Sequence, residues 1–449
     1  MSEKILWAGY YRRFYQTDPN THHFGYCLAF AQGRDDFQQK IETYCQRHQC
    51  RLVSQLAPLP ATRWFERHGF NGQILQQARA IKDDSLHFLL QEEKQSTVSQ
   101  GTYLRQQTVG IAPLPDVFHQ PEPILNTPYL PPELRERGFF AHLNAAENPK
   151  EGLMYANSGF VYLPDTPRYY AIVDGVKSIA LPQLCEREGR TESLYKGELK
   201  QRMDDNAPFL TQLTVNDRNS SEFVHLLFAQ SEKDWFGLWD LNPAIFIRSY
   251  HDFEAIHYHF RKFTHLYNEQ TKKWYFFRFY DPVVLVAYLQ YIAKEPERLA
   301  SFFGYREGEL LIESVAARVG NEFHIFSLTD LPADTQPSAV AYDEFLQGFF
   351  IHNNNSVFAK ELLTNILPTE FANLNITHSV VAGWLGIGQK MGFENKGALE
   401  LFVKTQIYLQ QTDITIEQLI DEISAEYGSI TDVELSKLCY LKAKMVGNK

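Results

Sequence analysis

Trp274 to Leu289 read WYFFRFYDPVVLVAYL. The first seven residues hold one Trp and five Phe or Tyr around a single Arg, so they cannot alternate polar with apolar, and the pattern predicts a central strand buried on both faces. Counted by twos, Trp274, Phe276, Arg278 and Tyr280 share one face, and Tyr275, Phe277 and Phe279 share the other. Arg278 is then the one charge in an aromatic layer and requires a partner, for which Asp174 is a candidate. Asp281-Pro282 ends the strand and opens a helix. Asp accepts from free backbone N–H groups as N-cap, and Pro fits the first helical position without losing a hydrogen bond. Val284, Tyr288 and Tyr291, with Leu285, Leu289 and Ile292, form that helix's apolar face.

The segment just upstream has the same logic. Ala244 to Arg248 is a short apolar strand, and Ser249 with Asp252 resembles a capping box. Phe253, Ile256, Phe260, Phe263 and Tyr267 recur at steps of three and four, the stripe of an amphipathic helix. The unit reads strand, helix, strand, helix. If the two strands are parallel, a right-handed crossover puts Arg248 and the Arg278 to Asp281 turn on one edge of the sheet, the edge where open α/β sheets bind ligands.

With 449 residues, 44% of them hydrophobic, the chain can bury two or three cores. A net charge of −11 disfavours a nucleic-acid partner. The N-terminal MSEKILWAGYYRRFY has no apolar signal core and no run reaches membrane-spanning length, so the expectation is a cytoplasmic protein that does not engage the membrane. Five scattered cysteines (Cys27, Cys45, Cys50, Cys185, Cys439) suit reduced thiols. Cys45 and Cys50 flank His48, but both are expected on a helix and no second ligand pair follows at zinc spacing, so no metal is expected.

In chain order, residues 1–95 read as a small α/β domain, with strands at 5–11, 24–31, 51–56 and 85–90, helices at 35–48 and 73–81, and His22-His23 in a polar turn. Residues 96–150 read as a connector, since seven of the twenty residues from Pro113 to Pro132 are Pro. Residues 151–335 read as an α/β lobe. It has strands at 169–173, 194–199, 209–213 and 321–327, helices at 176–187 and 221–229, an Asp174-Gly175 turn, and a bulky turn at Trp235-Phe236-Gly237-Leu238-Trp239. Residues 336–449 read as an all-helical lobe, with helices at 342–352, 356–367, 377–391, 396–410, 416–425 and 432–444. The fold class is therefore α/β (α+β), with a mixed central sheet.

The chain has no G-x-S-x-G, no H-E-x-x-H and no Walker A loop. Gly386, Gly388 and Gly392 lie in a helical pattern rather than after a strand, so a dinucleotide loop is not expected. His257 and His259 cannot face the same way at a spacing of two, and at least one is expected to be solvated. The expectation is a protein without cofactor or catalysis.

Several motifs together resemble a known family. YYAIVDG (169–175), LYKGEL (194–199) with APFL (207–210), WFGLW (235–239), FIRS (246–249) and FRFYDP (277–282) look like the successive motifs of the type VI secretion effector adaptor or chaperone family. GQKMGFENKGALELFV (388–403) looks like its helical-lobe signature. Val283 stands where the family often has a second Arg, and the N-terminal region lies outside the match. The resemblance implies a cytoplasmic, non-enzymatic protein that holds a secreted effector protein and loads it on the VgrG spike protein for toxin delivery. Three other readings stay open: a hydrolase using Arg248, Arg278 and Asp281; an effector-neutralising, immunity-like protein; and an N-terminal domain that is an independent binding module. The candidate partner-binding residues are Trp235, Phe236, Trp239, Arg248 and Tyr280, with one of the two Trp expected to be exposed in the free protein. Asp174, Gly175, Arg278, Asp281 and Pro282 are the candidate structural motif.

Overall fold

A computed structural model describes residues 4–15, 18–68, 78–95, 102–116, 130–135, 139–140, 143, 153–156, 159–162, 167–178, 180–188, 190–213, 218–231, 237–306, 308–332, 334–371, 376–410, 412–428 and 430–447. The protein is of the α/β class with mixed sheets and a helical C-terminal region. By internal contacts it divides into two units, Met1–Ala341 and Tyr342–Lys449.

The strands of the first unit are β1 (Ile5–Tyr15), β2 (Asp18–Ala31), β3 (Cys50–Pro60), β4 (His87–Gln95), β5 (Leu104–Gly110), β6 (Leu153–Ala156), β7 (Gly159–Tyr162), β8 (Arg168–Asp174) and β9 (Thr191–Ser193). They continue with β10 (Pro208–Leu213), β11 (Ala244–Ser249), β12 (His265–Asn268), β13 (Lys273–Phe276), β14 (Tyr305–Arg306), β15 (Glu309–Leu310), β16 (Ser314–Val319) and β17 (Glu322–Leu328). One sheet has the order β14-β15-β3-β1-β2-β4 and the other β5-β17-β16-β11-β8-β10-β9, while β12-β13 and β6-β7 are separate hairpins.

The strand at the middle of the second sheet is not the aromatic run. β11 is buried at every residue and lies between β8 and β16, antiparallel to both. Its AIFIRS and the YAIV of β8 hold small and β-branched residues that fit between neighbours on both faces of a sheet. WYFFRFY is too bulky for that position. Only its first part is strand, as β13 of the hairpin with β12, and the chain leaves the extended form at Phe277. The expected parallel β11/β13 pair is therefore replaced by antiparallel neighbours. Phe277 and Phe279 turn into an aromatic core instead, packed with Phe260, Tyr288 and Phe302 from the helices Phe253–Phe260, Pro282–Tyr291 and Pro296–Phe303, and with Phe263 in the turn after the first of these.

The stretch 96–150 also differs from the expected spacer. β5 pairs with β17 along its whole length as an edge strand, Leu114 bridges Ala229, and His225 donates to the Pro115 carbonyl at 2.9 Å. Leu130, Leu134, Phe139, Phe140 and Leu143 are buried in the same core as Phe228, Phe246 and Phe323. Proline density excludes helix and sheet interior but not the docking of apolar residues at the segment's ends, and residues 117–129 lie outside the described residues.

Residues 1–95 do not build their sheet alone. β15 adds to β3, β14 adds to β15, and Tyr250 packs against Tyr10 and Phe24 in the core of that sheet. His22 and His23 sit in β2 and are buried, not in a solvated turn, and Cys50 opens β3 rather than extending the helix Arg34–His48. Residues 194–199 give the start of the helix Gly197–Met203 in place of a strand, because Gly197 at φ +56 turns the chain.

In the second unit, the helix Glu344–Glu361 runs through the Asn353 to Asn355 run expected to split it. The buried Asn355 is satisfied there by donating to Gln389 Oε1 at 2.9 Å, so the helix need not break. A π-helical turn at Leu362–Ile366 leads to the helices His378–Lys390, Lys396–Leu409, Ile416–Tyr427 and Asp432–Gly447. Among the described residues no helix is long and apolar enough to cross a membrane.

Candidate functional site

The site grows from the end of β8. Asp174 is fully buried, and its carboxylate accepts from the Val176 N–H at 3.2 Å, which caps the turn Gly175–Lys177. Its other oxygen accepts from Arg278 Nη2. Burial alone would lower the guanidinium's pKa, but the hydrogen bond and charge of Asp174 outweigh it and raise it. Asp281 accepts from the N–H groups of Val283 and Val284, with Pro282 at the first helical turn, and pairs with Lys177 at 3.2 Å. Asp174, Gly175, Arg278, Asp281 and Pro282 thus form one polar knot that ties the end of β8 to the helix Pro282–Tyr291.

An aromatic surface adjoins this knot. In the β12-β13 hairpin His265 pairs with Phe276 and Tyr267 with Trp274, so all four rings lie on one face, while Leu266 on the opposite face is buried. Their centroids stand 4.7 to 5.1 Å apart, and Trp274 and Phe276 remain 59% and 44% exposed. Phe276 meets Tyr195 at 6.0 Å, and the Tyr195 hydroxyl lies 3.5 Å from that of Tyr280. Burial first, and then the other hydroxyl, pushes the Tyr280 phenol up, so it stays neutral. The rings therefore run without a gap from open surface to the knot, where the half-exposed Arg278 provides a cation.

The described candidate partner-binding residues, Trp239, Arg248 and Tyr280, lie apart. Trp235 and Phe236 lie outside the described residues. Trp239 is buried: the Arg318 guanidinium stacks 3.7 Å from its ring centroid and donates to its carbonyl. Tyr280 is buried beside Tyr195. Arg248 is buried at the far end of β11, opposite Tyr169 rather than Val173, with its Nε 3.2 Å from Glu313. It sits on the order of 13 Å along the strand from the end nearest Asp174, by the rise per residue. Arg248, Arg278 and Asp281 are thus not brought together. The parallel crossover that would have joined them is absent.

Neither helix histidine is a free surface ring. His259 Nε2 donates to the Phe302 carbonyl at 2.8 Å, with burial holding its pKa down near about 4, and His257 Nε2 donates to the Ser193 carbonyl at 2.8 Å. Among the described residues no cluster of three His, Cys, Asp or Glu can hold a metal. The shared face of Trp274 and Phe276 is legible in the sequence, but its exposure is not. The period-two count places both on one side, and that side faces solvent rather than a sheet neighbour.

No curated protein matches the chain, and no solved structure does. Residues 169–299, which carry Asp174, the hairpin, Arg278 and Asp281, match the model of a domain of unknown function, DUF4123, a family associated with type VI secretion effector adaptors.

Proposed function

We propose that this protein is a cytoplasmic adaptor that binds a type VI secretion effector and promotes its loading onto the VgrG spike, without catalysis. The observation that carries this reading is the DUF4123 match over residues 169–299. The chemistry of the surface inside that match supports it. Four aromatic rings on a two-stranded ribbon, two of them largely open to water, offer flat apolar area of the kind that anchors protein interfaces. Arg278, held in place by Asp174, adds a charge at the rim.

The effector docks on the His265, Tyr267, Trp274 and Phe276 face. The test is a pull-down of the effector encoded beside this chain, with the parent protein and with Trp274→Ala/Phe276→Ala. Both side chains are exposed, so the double variant keeps its circular dichroism and melting profile. Loss of truncated anchors weakens capture by tenfold or more, which corresponds to about 2 kcal/mol for an interface anchor. Equal capture by parent and variant moves the docking surface elsewhere; failure of the parent to capture effector or VgrG removes the adaptor reading itself.

A further inference from the structure

Between the two sheets of the first unit lies a seam of buried charge that none of the foregoing uses. Arg12 of β1 is 1% exposed, and its Nε and Nη1 N–H groups have no hydrogen-bond partner among the described residues. Arg105 of β5 reaches across from the other sheet, with its Nη2 3.1 Å from His22 Nδ1 and its buried Nε also without a partner among the described residues. Because that ring nitrogen accepts from the guanidinium it carries no proton, so the neutral His22 tautomer in this contact has its proton on the far nitrogen and brings no charge. Arg248 of β11 is the third guanidinium, 3.2 Å from the buried Glu313. The Glu313 charge also acts on Arg12 and Arg105.

The balance of charge is uneven. Asp330, whose charge also reaches Arg12, is taken by Arg51 at 2.6 Å. The charge of Glu313 thus reaches both Arg12 and Arg105 while its carboxylate lies against Arg248. Burial pushes both Arg12 and Arg105 down to about 10, which still leaves them protonated at neutral pH. Burying a cation without a counter-charge costs several kcal/mol, and each unmade hydrogen bond of a guanidinium adds to that.

We propose that a small inorganic anion, a halide or a simple oxyanion such as phosphate, binds between the sheets at the Nε and Nη1 groups of Arg12 and the Nε of Arg105. Its chemistry follows from the donors. They are buried cationic N–H groups from two arginines, which suits a compact anion. Binding across β1 and β5 makes the anion a fastener of one sheet to the other, so its effect appears as stability.

Two experiments on the full-length protein test this. In crystals grown or soaked with bromide, an anomalous peak is expected within hydrogen-bond reach of Arg12 and Arg105; its absence, with the two sheets placed as here, overturns the proposal. In solution at constant ionic strength, replacing bulky gluconate by chloride, and in a second arm by phosphate, raises the thermal midpoint along a saturating curve. The arm that saturates at the lower concentration identifies the preferred anion. Arg12→Met keeps the volume of the stem and removes the cation, so it abolishes the saturating rise, and an undiminished rise in that variant overturns the site. Should Arg12→Met fail to fold, Arg105→Met from the less buried side is read in the same way.

Discussion

Asp174 and Arg278 show how one pair of residues sets local architecture. The carboxylate is fully buried and the guanidinium is 45% exposed, so losing either partner has unequal consequences. Arg278→Ala strands a carboxylate in the interior and is expected to destabilise by about 1–3 kcal/mol, less than for a fully buried pair because water can enter where the guanidinium was. Asp174→Asn keeps an acceptor for the Val176 N–H and leaves Arg278 partly hydrated, so its cost is smaller. Urea denaturation of the two variants checks the order, and a larger loss for Asp174→Asn would contradict it. Glu370 in the helical unit is the other residue with concentrated partners. Burial alone would raise its pKa, but hydrogen bonds from Tyr440, Lys444 and Tyr408 and the charge of Lys404 overcome this and lower it to about 2. A carboxylate depressed in the folded state stabilises fully above its ordinary value and loses that contribution as pH falls through the folded value. The stability difference between the parent and Glu370→Gln is therefore expected to be about 2 kcal/mol at neutral pH. It shrinks from pH ~4.5 down to ~2, as denaturant melts at several pH values would show.

At the scale of elements, the sequence was most legible where one local rule decides. The Asp281-Pro282 cap, the Asp174–Arg278 partnership and most helix positions after residue 342 follow from side-chain chemistry within a few residues or from period alone. It was least legible where several tertiary solutions share one pattern. WYFFRFY satisfies the rule for a doubly buried strand, yet the same residues serve as half a hairpin and then a turn into an aromatic core. The choice between them lies in room beside neighbouring strands, which no single stretch encodes. For the same reason β16 and the short β14 and β15 leave no clear mark in the sequence, and β5 reads there as connector. The hairpin gives a direct contrast within one run. Phe277→Ala removes a ring that is 1% exposed and meets Tyr288 at 4.8 Å, and is expected to cost about 3–5 kcal/mol. Trp274→Ala, three residues away and 59% exposed, is expected to stay within about 0.5 kcal/mol. Equal losses at the two positions, measured by thermal or urea melts, would restore the central-strand reading.

At the scale of the whole molecule, the two ends of the chain differ in how self-sufficient they are. Residues 342–449 carry a core of their own around Leu362, Val381, Phe402, Ile423 and Cys439. Their helices are capped from within: Asp343 accepts from Leu346, Asn395 from Gly397, and Thr415 with Gln418 forms a capping box. Glu370 ties the turn after the π-helical segment to two further helices through Tyr408, Tyr440 and Lys444. With this core and these caps made from its own residues, the fragment 342–449 produced alone is expected to show a helical circular dichroism spectrum and one cooperative thermal transition. Residues 1–95 resemble a domain in the sequence, but their sheet is completed by β14 and β15 and their core by Tyr250. Cut at residue 95, β3 regains an unpaired edge and the aromatic cluster of Tyr10 and Phe24 loses a ring that packs 5.0 and 6.0 Å from them. An open edge beside a core with a missing side chain favours association between chains over a stable monomer. The 1–95 fragment is therefore expected to aggregate or to melt without cooperativity, while 1–341 keeps a sharp transition. A monomeric, cooperatively melting 1–95 fragment would show instead that the strands from residues 305–310 are an addition to a sheet already stable by itself.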